Sequence, residues 1–350
     1  MILFLSKYPH TDSEFRDGFF QRVVSIDSFF LDEKRVYLET RLLKNFKKKV
    51  YVENDKIEYS CNIIFHLFFI ISLFKKAKFI YIQSIFNVMF SFWLVKLIKN
   101  KYVLDLHGVV PEELELQRMK YKAKYFHWIE SIIFSKLNVC IAVSQKLANH
   151  YKEKFVKTKA KFIVYTILPK NVDGNSFIKN IDSSDVLKVI YSGNVQKWQN
   201  IDLMMNIIKE NITDKIEYII LTGELERMKM KAEEYKLVGK NIKILSVKPS
   251  ELLNYYNEAN YGFILRDDIV VNNVSCPTKL VEYLNYGIIP IVLSEKIGDF
   301  KELGYEYLPY QKFNENLIVM KSKKNVEIIK YLKQKNNFDV KKELFTIFNK

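Results

Sequence analysis

Short, continuous apolar runs alternate with longer stretches of helical apolar spacing along this chain, and the alternation runs through twice. In the first series the candidate strands are Ile2–Leu5, Arg35–Glu39, Phe79–Gln83, Tyr102–Leu106, Val139–Val143 and Phe162–Tyr165. Between them, Phe19–Phe30, Ile63–Phe74, Glu112–Ser135 and Gln145–Phe155 carry apolar residues at helical spacing. Runs of four or five apolar residues without alternation suit strands buried on both faces, and strand–helix repetition implies a parallel, doubly wound sheet. The stretch Pro169–Asp185, rich in Asn, Asp, Ser and Gly, interrupts the pattern and reads as a linker. A second series then begins, with strands at Lys188–Tyr191, Glu217–Leu221, Ile242–Leu245, Tyr261–Leu265 and Ile289–Leu293 and helices at Asp202–Glu210, Leu225–Tyr235, Ser250–Glu258 and Thr278–Asn285. The expected fold class is therefore α/β, with two Rossmann-like doubly wound domains and an interdomain cleft. The expected domains are 1–170, 171–325 and a lysine-rich helical segment, 326–350, that packs back on the first.

A chain of 350 residues with 49% hydrophobic content is long enough to bury two cores. Its net charge of +15 favours anionic partners such as phosphorylated substrates, acidic lipid or nucleic acid, although lysine, Ile, Asn and Phe are all abundant in a way that reflects AT-rich codon usage. Cys61, Cys140 and Cys276 are odd in number and far apart, which indicates neither a disulfide framework nor a zinc site and suits a reducing cytoplasm. The chain enters Ile2–Leu5 without the pattern of a secretory leader, so export is not expected. The longest apolar run, Ile63–Phe74, is about half the length of a membrane span. With Ile85–Ile98, Trp93 and the flanking Lys96, Lys99 and Lys101, it would suit either packing against a sheet or peripheral contact with an anionic membrane.

Ligands of doubly wound sheets bind beyond the carboxyl ends of the strands, so the residues just after each strand matter most. Ser275–Gly287 (SCPTKLVEYLNYG) starts a helix at a proline, carries Lys279, Glu282 and Tyr283 in its first turns, and ends at a glycine before the next strand. A cation, a carboxylate and free backbone N–H groups at one helix start suit a ligand with both a phosphate and sugar hydroxyls; a charged outer face of an ordinary helix would show the same residues. After the second series' first strand, Gly193 permits close backbone approach, and Asn194, Lys197 and Gln199 are donors suited to phosphate oxygens, in a sequence that also fits a common turn. His107 follows a strand in Asp105-Leu106-His107-Gly108, where it would hydrogen-bond a substrate hydroxyl or stabilise charge on a reacting sugar. Gly18, in Asp17-Gly18-Phe19-Phe20-Gln21-Arg22, opens the first helix. Asp267-Asp268 lacks the histidine or further acidic company of a metal site, and no GxGxxG, P-loop, GxSxG or HExxH pattern occurs.

Taken in order, DGFFQR, DLHG, VCIAVSQKLANHY, YSGN, TGE at 222–224, KPSELLNYYNEANYGFILR and PTKLVEYLNYG resemble the GT-B glycosyltransferases, and among them the retaining family 4 type of bacterial polysaccharide synthesis. The resemblance covers nearly the whole chain, and its last two motifs are the most specific. It implies a nucleotide-diphosphate sugar held by the C-terminal domain and an acceptor on the N-terminal one, with no other cofactor and no metal. Carried over by position, Glu282 would accept hydrogen bonds from the ribose. Asn194 and Lys197 would lie by the diphosphate, with Gly18 facing it from the other side. Val247 would lie where the base meets backbone. Lys279, a phosphate or sugar contact, and His107, beside the transferred sugar, would be the catalytic residues.

The chain departs from the commoner pattern in that Val274 stands eight positions before Glu282, where many members have a second glutamate. Backbone N–H groups of Val274, Ser275 and Cys276, or Asn273, would replace that contact. Asn194 and Gln199 stand where many members have Arg and Lys, and Lys197 or Arg266 would substitute. The implied activity is transfer of a sugar, with retention, to a saccharide or lipid-linked saccharide acceptor in cell-surface polysaccharide or glycoconjugate synthesis. The expected setting is the cytoplasm, on the inner face of the membrane, with no nucleic-acid partner. The alternatives are a nucleotide-sugar epimerase of the same fold and a noncatalytic basic protein that binds nucleic acid or membrane.

Overall fold

The structure is a computed structural model of the 350-residue chain, and it describes every residue except 12, 13, 16, 169–185, 238, 240, 249 and 350. It divides into two compact units, Met1–Ile167 with Asn337–Lys350, and Leu168–Asn336. The expected linker, Pro169–Asp185, lies outside the described residues.

Unit one is built on β1 (Ile2–Leu5), β2 (Arg35–Arg41), β3 (Lys49–Glu53), β4 (Lys56–Asn62), β5 (Ile80–Gln83), β6 (Tyr102–Leu106), β7 (Val139–Ala142) and β8 (Lys161–Val164). They form one sheet in the order β3-β4-β2-β1-β5-β6-β7-β8, parallel throughout except for the antiparallel β3–β4 pair. Strands β1, β5, β6 and β7 are buried at every residue, which is why they read as unbroken apolar runs. The sequence does not reveal β3 and β4, because their apolar residues are interleaved with Lys, Glu, Ser and Asn, and β3 is exposed at every residue. The stretch Glu112–Ser135, expected as one helix, is two, Val110–Leu116 and Lys120–Phe134, with Arg118 in the left-handed region (φ 61°) at the break.

The C-terminal segment also differs from the single helical stretch expected over 326–350. Lys323–Lys335 is a helix of unit two, and Val340–Phe348 is a separate helix of unit one, started by Asp339, whose carboxylate accepts from the N–H groups of Lys341 and Lys342. Val340 and Leu344 are fully buried against a core that includes Ile2, Phe30 and Phe79, and the Phe348 ring lies 5.3 Å from that of Phe79. At about 1.5–3 kcal/mol for each large apolar side chain buried, this contact holds the last helix firmly on unit one.

Unit two has β9 (Leu187–Ser192), β10 (Ile216–Leu221), β11 (Ile242–Leu245), β12 (Tyr261–Ile264), β13 (Ile289–Val292) and β14 (Leu308–Pro309), all parallel, in the order β11-β10-β9-β12-β13-β14. Numbered from its own first strand, that is the doubly wound order 3-2-1-4-5-6, whose direction reverses between β9 and β12. Gly262 in β12 is required by packing: a Cβ there would lie 2.4 Å from the Tyr283 ring, so the tyrosine can cross the sheet only above a glycine. Tyr283 belongs to the helix Thr278–Asn285, which ends as Gly287 takes φ 65° and the N–H of Ile288 bonds the carbonyl of Tyr283.

Candidate functional site

The reversal between β9 and β12 sets two strand ends side by side, and the helix Thr278–Asn285 supplies the side chains above them. From the end of β9, the N–H of Ser192 donates to the Tyr283 hydroxyl over 2.9 Å, and the Tyr191 hydroxyl donates to the carbonyl of Asn194 over 2.6 Å. The second bond curls Gly193-Asn194 into a tight loop. A Cβ on Gly193 would meet the Tyr191 hydroxyl at 2.9 Å and Lys279 Nζ at 3.3 Å, so glycine is what lets the lysine reach the loop backbone.

Lys279 Nζ sits 4.0 Å from the centroid of the Tyr191 ring and donates to Gln199 Oε1 over 2.9 Å. Its burial, together with the positive charge of Arg266, pushes its pKa well below the usual lysine range, against a smaller opposing pull from Glu282. Arg266, just after β12, is half-buried and points one guanidinium nitrogen toward Asn272 Oδ1 (3.4 Å) and Ser275 Oγ (3.5 Å); burial lowers its pKa to about 10. No carboxylate neutralises this pair through a direct ion pair among the described residues. Two basic groups thus lie together at the strand-end reversal, an arrangement suited to an anionic ligand.

Glu282 lies one turn further along the helix and accepts from the Tyr256 hydroxyl over 2.9 Å. The Tyr256 oxygen in turn meets Ser192 Oγ at 2.8 Å, giving a polar chain Ser192–Tyr256–Glu282 that joins β9 to two helices. Burial raises the Glu282 pKa, and the Tyr256 hydrogen bond and the charge of Lys279 oppose that rise. The carboxylate is oriented by Tyr256 and presents acceptor capacity suited to hydroxyls. Tyr256 and the Ser192 hydroxyl are the contributors that sequence reading did not place here, because tyrosines at helical spacing look like core; Gln199, expected as a donor to phosphate oxygens, instead accepts from Lys279.

The remaining expected residues of unit two separate into groups. Asn194 lies in the loop, with its own Oδ1 accepting from the N–H of Gln196. Lys197 is exposed and lines an open groove of about 730 Å³ with Asn200, Arg227 and Lys231; Gln199, not Lys197, meets Lys279. Val247 is half-buried and packs against the core cluster that includes Leu280 and Leu284. Asn273 donates to Asp268 Oδ1 over 2.8 Å. Val274 is buried, and its N–H bonds the Val270 carbonyl while that of Ser275 bonds Asn272. Those two N–H groups close the short helix Val270–Asn273, so two of the three backbone donors expected in place of a second glutamate are already engaged. Ser275 Oγ donates to the Asn272 carbonyl, and Asp267 and Asp268 turn to different partners, Asn200 and Lys296.

In unit one, His107 follows β6 and is largely buried, with Nε2 2.9 Å from Gln83 Oε1 and its ring 4.8 Å from that of Phe19. Gln83 Oε1 accepts the Nε2 proton, leaving Nδ1 as an acceptor. Burial takes the pKa down to about 4, with Asp105 opposing and Arg22 reinforcing the shift, so at neutral pH His107 is an uncharged hydrogen-bonding group and not a cation. Beneath it, the fully buried Arg22 donates to both Asp105 oxygens at 2.9–3.2 Å, and Tyr81 donates to the same carboxylate over 2.8 Å. Gly18 is the first residue of the helix Gly18–Asp27, exposed and next to Asp17, which caps the N–H of Phe19.

This architecture recurs in known structures. The chain superposes on sucrose-phosphate synthase from Thermosynechococcus elongatus with a TM-score of 0.63 at 12% identity, over 95% of this chain and 94% of that one. It superposes on WaaG, a glycosyltransferase involved in lipopolysaccharide biosynthesis, with a TM-score of 0.61 at 9% identity, over 96% and 95%. The fold is that of the GT-B glycosyltransferases. The GT-B protein HepE of Anabaena, in complex with UDP and glucose, matches with a TM-score of 0.58 at 10% identity, over 94% of this chain and 89% of that one. An uncharacterised glycosyltransferase of Methanocaldococcus jannaschii is 30% identical over 164 residues, and the match spans 43% of this chain and 41% of that relative's length. No protein-family model matches the chain. The β9–β12 reversal, with Lys279, Arg266 and Glu282 above it, lies where doubly wound sheets generally take their ligands.

Proposed function

We propose that this chain is a glycosyltransferase that transfers a sugar from a nucleoside-diphosphate donor, bound by unit two, to a saccharide or lipid-linked saccharide acceptor bound by unit one. The observation that carries the reading is the pairing of Lys279 and Arg266, both depleted of counter-charge, with a hydroxyl-accepting carboxylate one helical turn away. A diphosphate supplies the missing negative charge, and a ribose supplies the hydroxyls for Glu282. HepE, of the same fold, binds UDP and glucose.

In the proposed reaction the bond from the anomeric carbon to the diphosphate oxygen breaks as the acceptor oxygen bonds that carbon from the same face. The acceptor's proton passes to the departing phosphate, and the configuration is retained. Lys279 and Arg266 stabilise the charge that develops on the leaving group, so the reaction is metal-independent. His107, neutral and with Nδ1 as an acceptor, is a group with which unit one can orient a sugar hydroxyl.

Calorimetric titration with UDP, GDP and their sugars tests the donor site. We expect one nucleoside diphosphate to bind and Glu282→Ala to weaken it by at least about tenfold, the value of one hydrogen bond to a charged group. No binding by any nucleoside diphosphate would sink the reading.

Peripheral contact with an anionic membrane, at the inner face of the cell membrane, belongs to the same proposal. No described helix is long and apolar enough to cross a membrane. Unit one nevertheless exposes Leu43 (81%), Phe65 (69%) and Phe68 (87%), with Phe46 packed on Phe65 and Lys44, Lys47 and Lys48 in the adjoining loop. Apolar side chains inserting between headgroups while lysines meet anionic lipid is the chemistry of interfacial binding. Flotation with vesicles containing anionic lipid, and none with neutral vesicles, is expected; Phe65→Ser with Phe68→Ser should abolish it, and equal flotation of this variant would refute the surface.

A further inference from the structure

We infer that β3 pairs edge to edge with β3 of a second copy of this chain, antiparallel and centred on Tyr51, so that unit one forms a two-fold dimer. β3 ends its sheet, and among the described strands it is the one exposed at every residue. Val50, Tyr51 and Val52 are 50%, 50% and 62% exposed. A flat, apolar edge strand is a template for another strand, and a protein that stays soluble must blunt it or pair it. This one has no proline and no bulge in its register with β4, and the described residues leave every one of its positions exposed.

The sequence of the strand identifies the partner. In Lys49-Val50-Tyr51-Val52-Glu53, an antiparallel copy centred on Tyr51 sets Lys49 against Glu53, Val50 against Val52, and Tyr51 against itself. The strand is its own complement in both charge and apolarity, as a two-fold interface requires of a single surface. Continuing the register brings the exposed Lys47 towards the exposed Asp55. Slipping by two residues in either direction sets a valine against Lys48 or Asn54, and slipping by one places unlike faces together.

The backbone agrees. The hairpin turns through Asn54 and Asp55, with Glu53 paired to Lys56, Tyr51 to Glu58 and Lys49 to Ser60. By the alternation of antiparallel ladders, these three residues direct their N–H and C=O groups to β4, and Val50 and Val52 direct theirs outwards. In the dimer, Val50 of one copy and Val52 of the other exchange both hydrogen bonds. Tyr51 is already held in place by the His10 ring, 4.9 Å away, and Glu53 holds Lys56 through Oε2 while its carboxylate has a second oxygen for the facing lysine.

Sedimentation velocity on the full chain across the micromolar range should show a reversible dimer. Lys49→Glu and Glu53→Lys should each weaken it by at least about tenfold, because each turns two facing attractions into repulsions. The double variant K49E/E53K should recover the dimer, and mixing the two single variants should give a heterodimer. Under mild oxidation, Tyr51→Cys should form a disulfide-linked dimer and Val50→Cys should not, since facing residues of an antiparallel pair lie within disulfide reach and only residue 51 faces itself. A monomer at every concentration, a dimer indifferent to both reversals, or crosslinking by Val50→Cys in preference to Tyr51→Cys would each overturn the proposal. None of these readouts depends on sugar transfer, so the dimer and the proposed activity stand or fall separately.

Discussion

Replacing Lys279 with methionine should lower turnover of the nucleotide-sugar donor by about 10²- to 10³-fold, the usual cost of removing one preorganised group from a developing oxyanion, while the protein unfolds at an unchanged or higher temperature. The two halves of this expectation come from the same geometry. The ammonium is buried against the Tyr191 ring, its hydrogen-bond partner is a neutral amide, and the nearby Arg266 repels it. Holding that charge without a ligand costs stability, so its loss does not weaken the fold, and the methionine retains an apolar stem to lie on the ring. When a diphosphate arrives, it supplies the counter-charge that Lys279 lacks, so donor affinity should fall together with turnover in Lys279→Met. Unchanged turnover and donor affinity in this variant would remove Lys279 from the site; a collapse in thermal stability would mean that the lysine holds the structure together instead.

Much of the framework behind this site is readable from sequence, for a physical reason. Parallel strands covered by helices on both faces become unbroken apolar runs, so β1, β6 and β9 are visible almost to the residue. Gly193, Arg266, Lys279 and Glu282 stand out because glycines and charges beside strand ends have few structural uses. What sequence does not convey is which polar groups the fold itself consumes. The N–H groups of Val274 and Ser275 look available at a helix entrance, yet a preceding four-residue helix takes both. Tyr256 looks like core and is core, but its hydroxyl reaches through to orient Glu282. The hairpin β3–β4 is hidden for the opposite reason: β3 is exposed and β4 mixes polar with apolar residues, so neither carries an unbroken apolar run, and only Asn54, in the left-handed region at φ 51°, marks its turn. In the same way, nothing in the run of residues around Arg118 announces the break between two helices.

His107 should make the protein lose stability as the pH falls from about 6.5 to about 4, by about 3 kcal/mol in all, and this loss should disappear in His107→Gln. The sign follows from the direction of the shift. Burial takes the folded-state pKa from 6.5 down to about 4, so between those values the unfolded chain binds a proton that the native chain refuses, and protonation draws the protein toward unfolding. Above pH 6.5 both states are neutral at this residue, and below pH 4 both are charged, so the dependence is flat on either side. Other groups titrate in the same acid range and must be separated by difference. Asp27, Glu58, Glu113 and Glu130 have raised pKa values through burial and therefore gain native-state protons on acidification, which acts in the stabilising direction. Glu14 and Glu112, held down to about 2 by lysine and histidine hydrogen bonds against the opposing effect of burial, act in the destabilising direction. Denaturant unfolding of wild type and His107→Gln at a series of pH values isolates the histidine, because these carboxylates are common to both proteins. A difference that grows on acidification through this window confirms a buried neutral imidazole; a difference independent of pH would show that burial leaves the His107 pKa unshifted, and a difference that shrinks on acidification would show that the fold favours its cation.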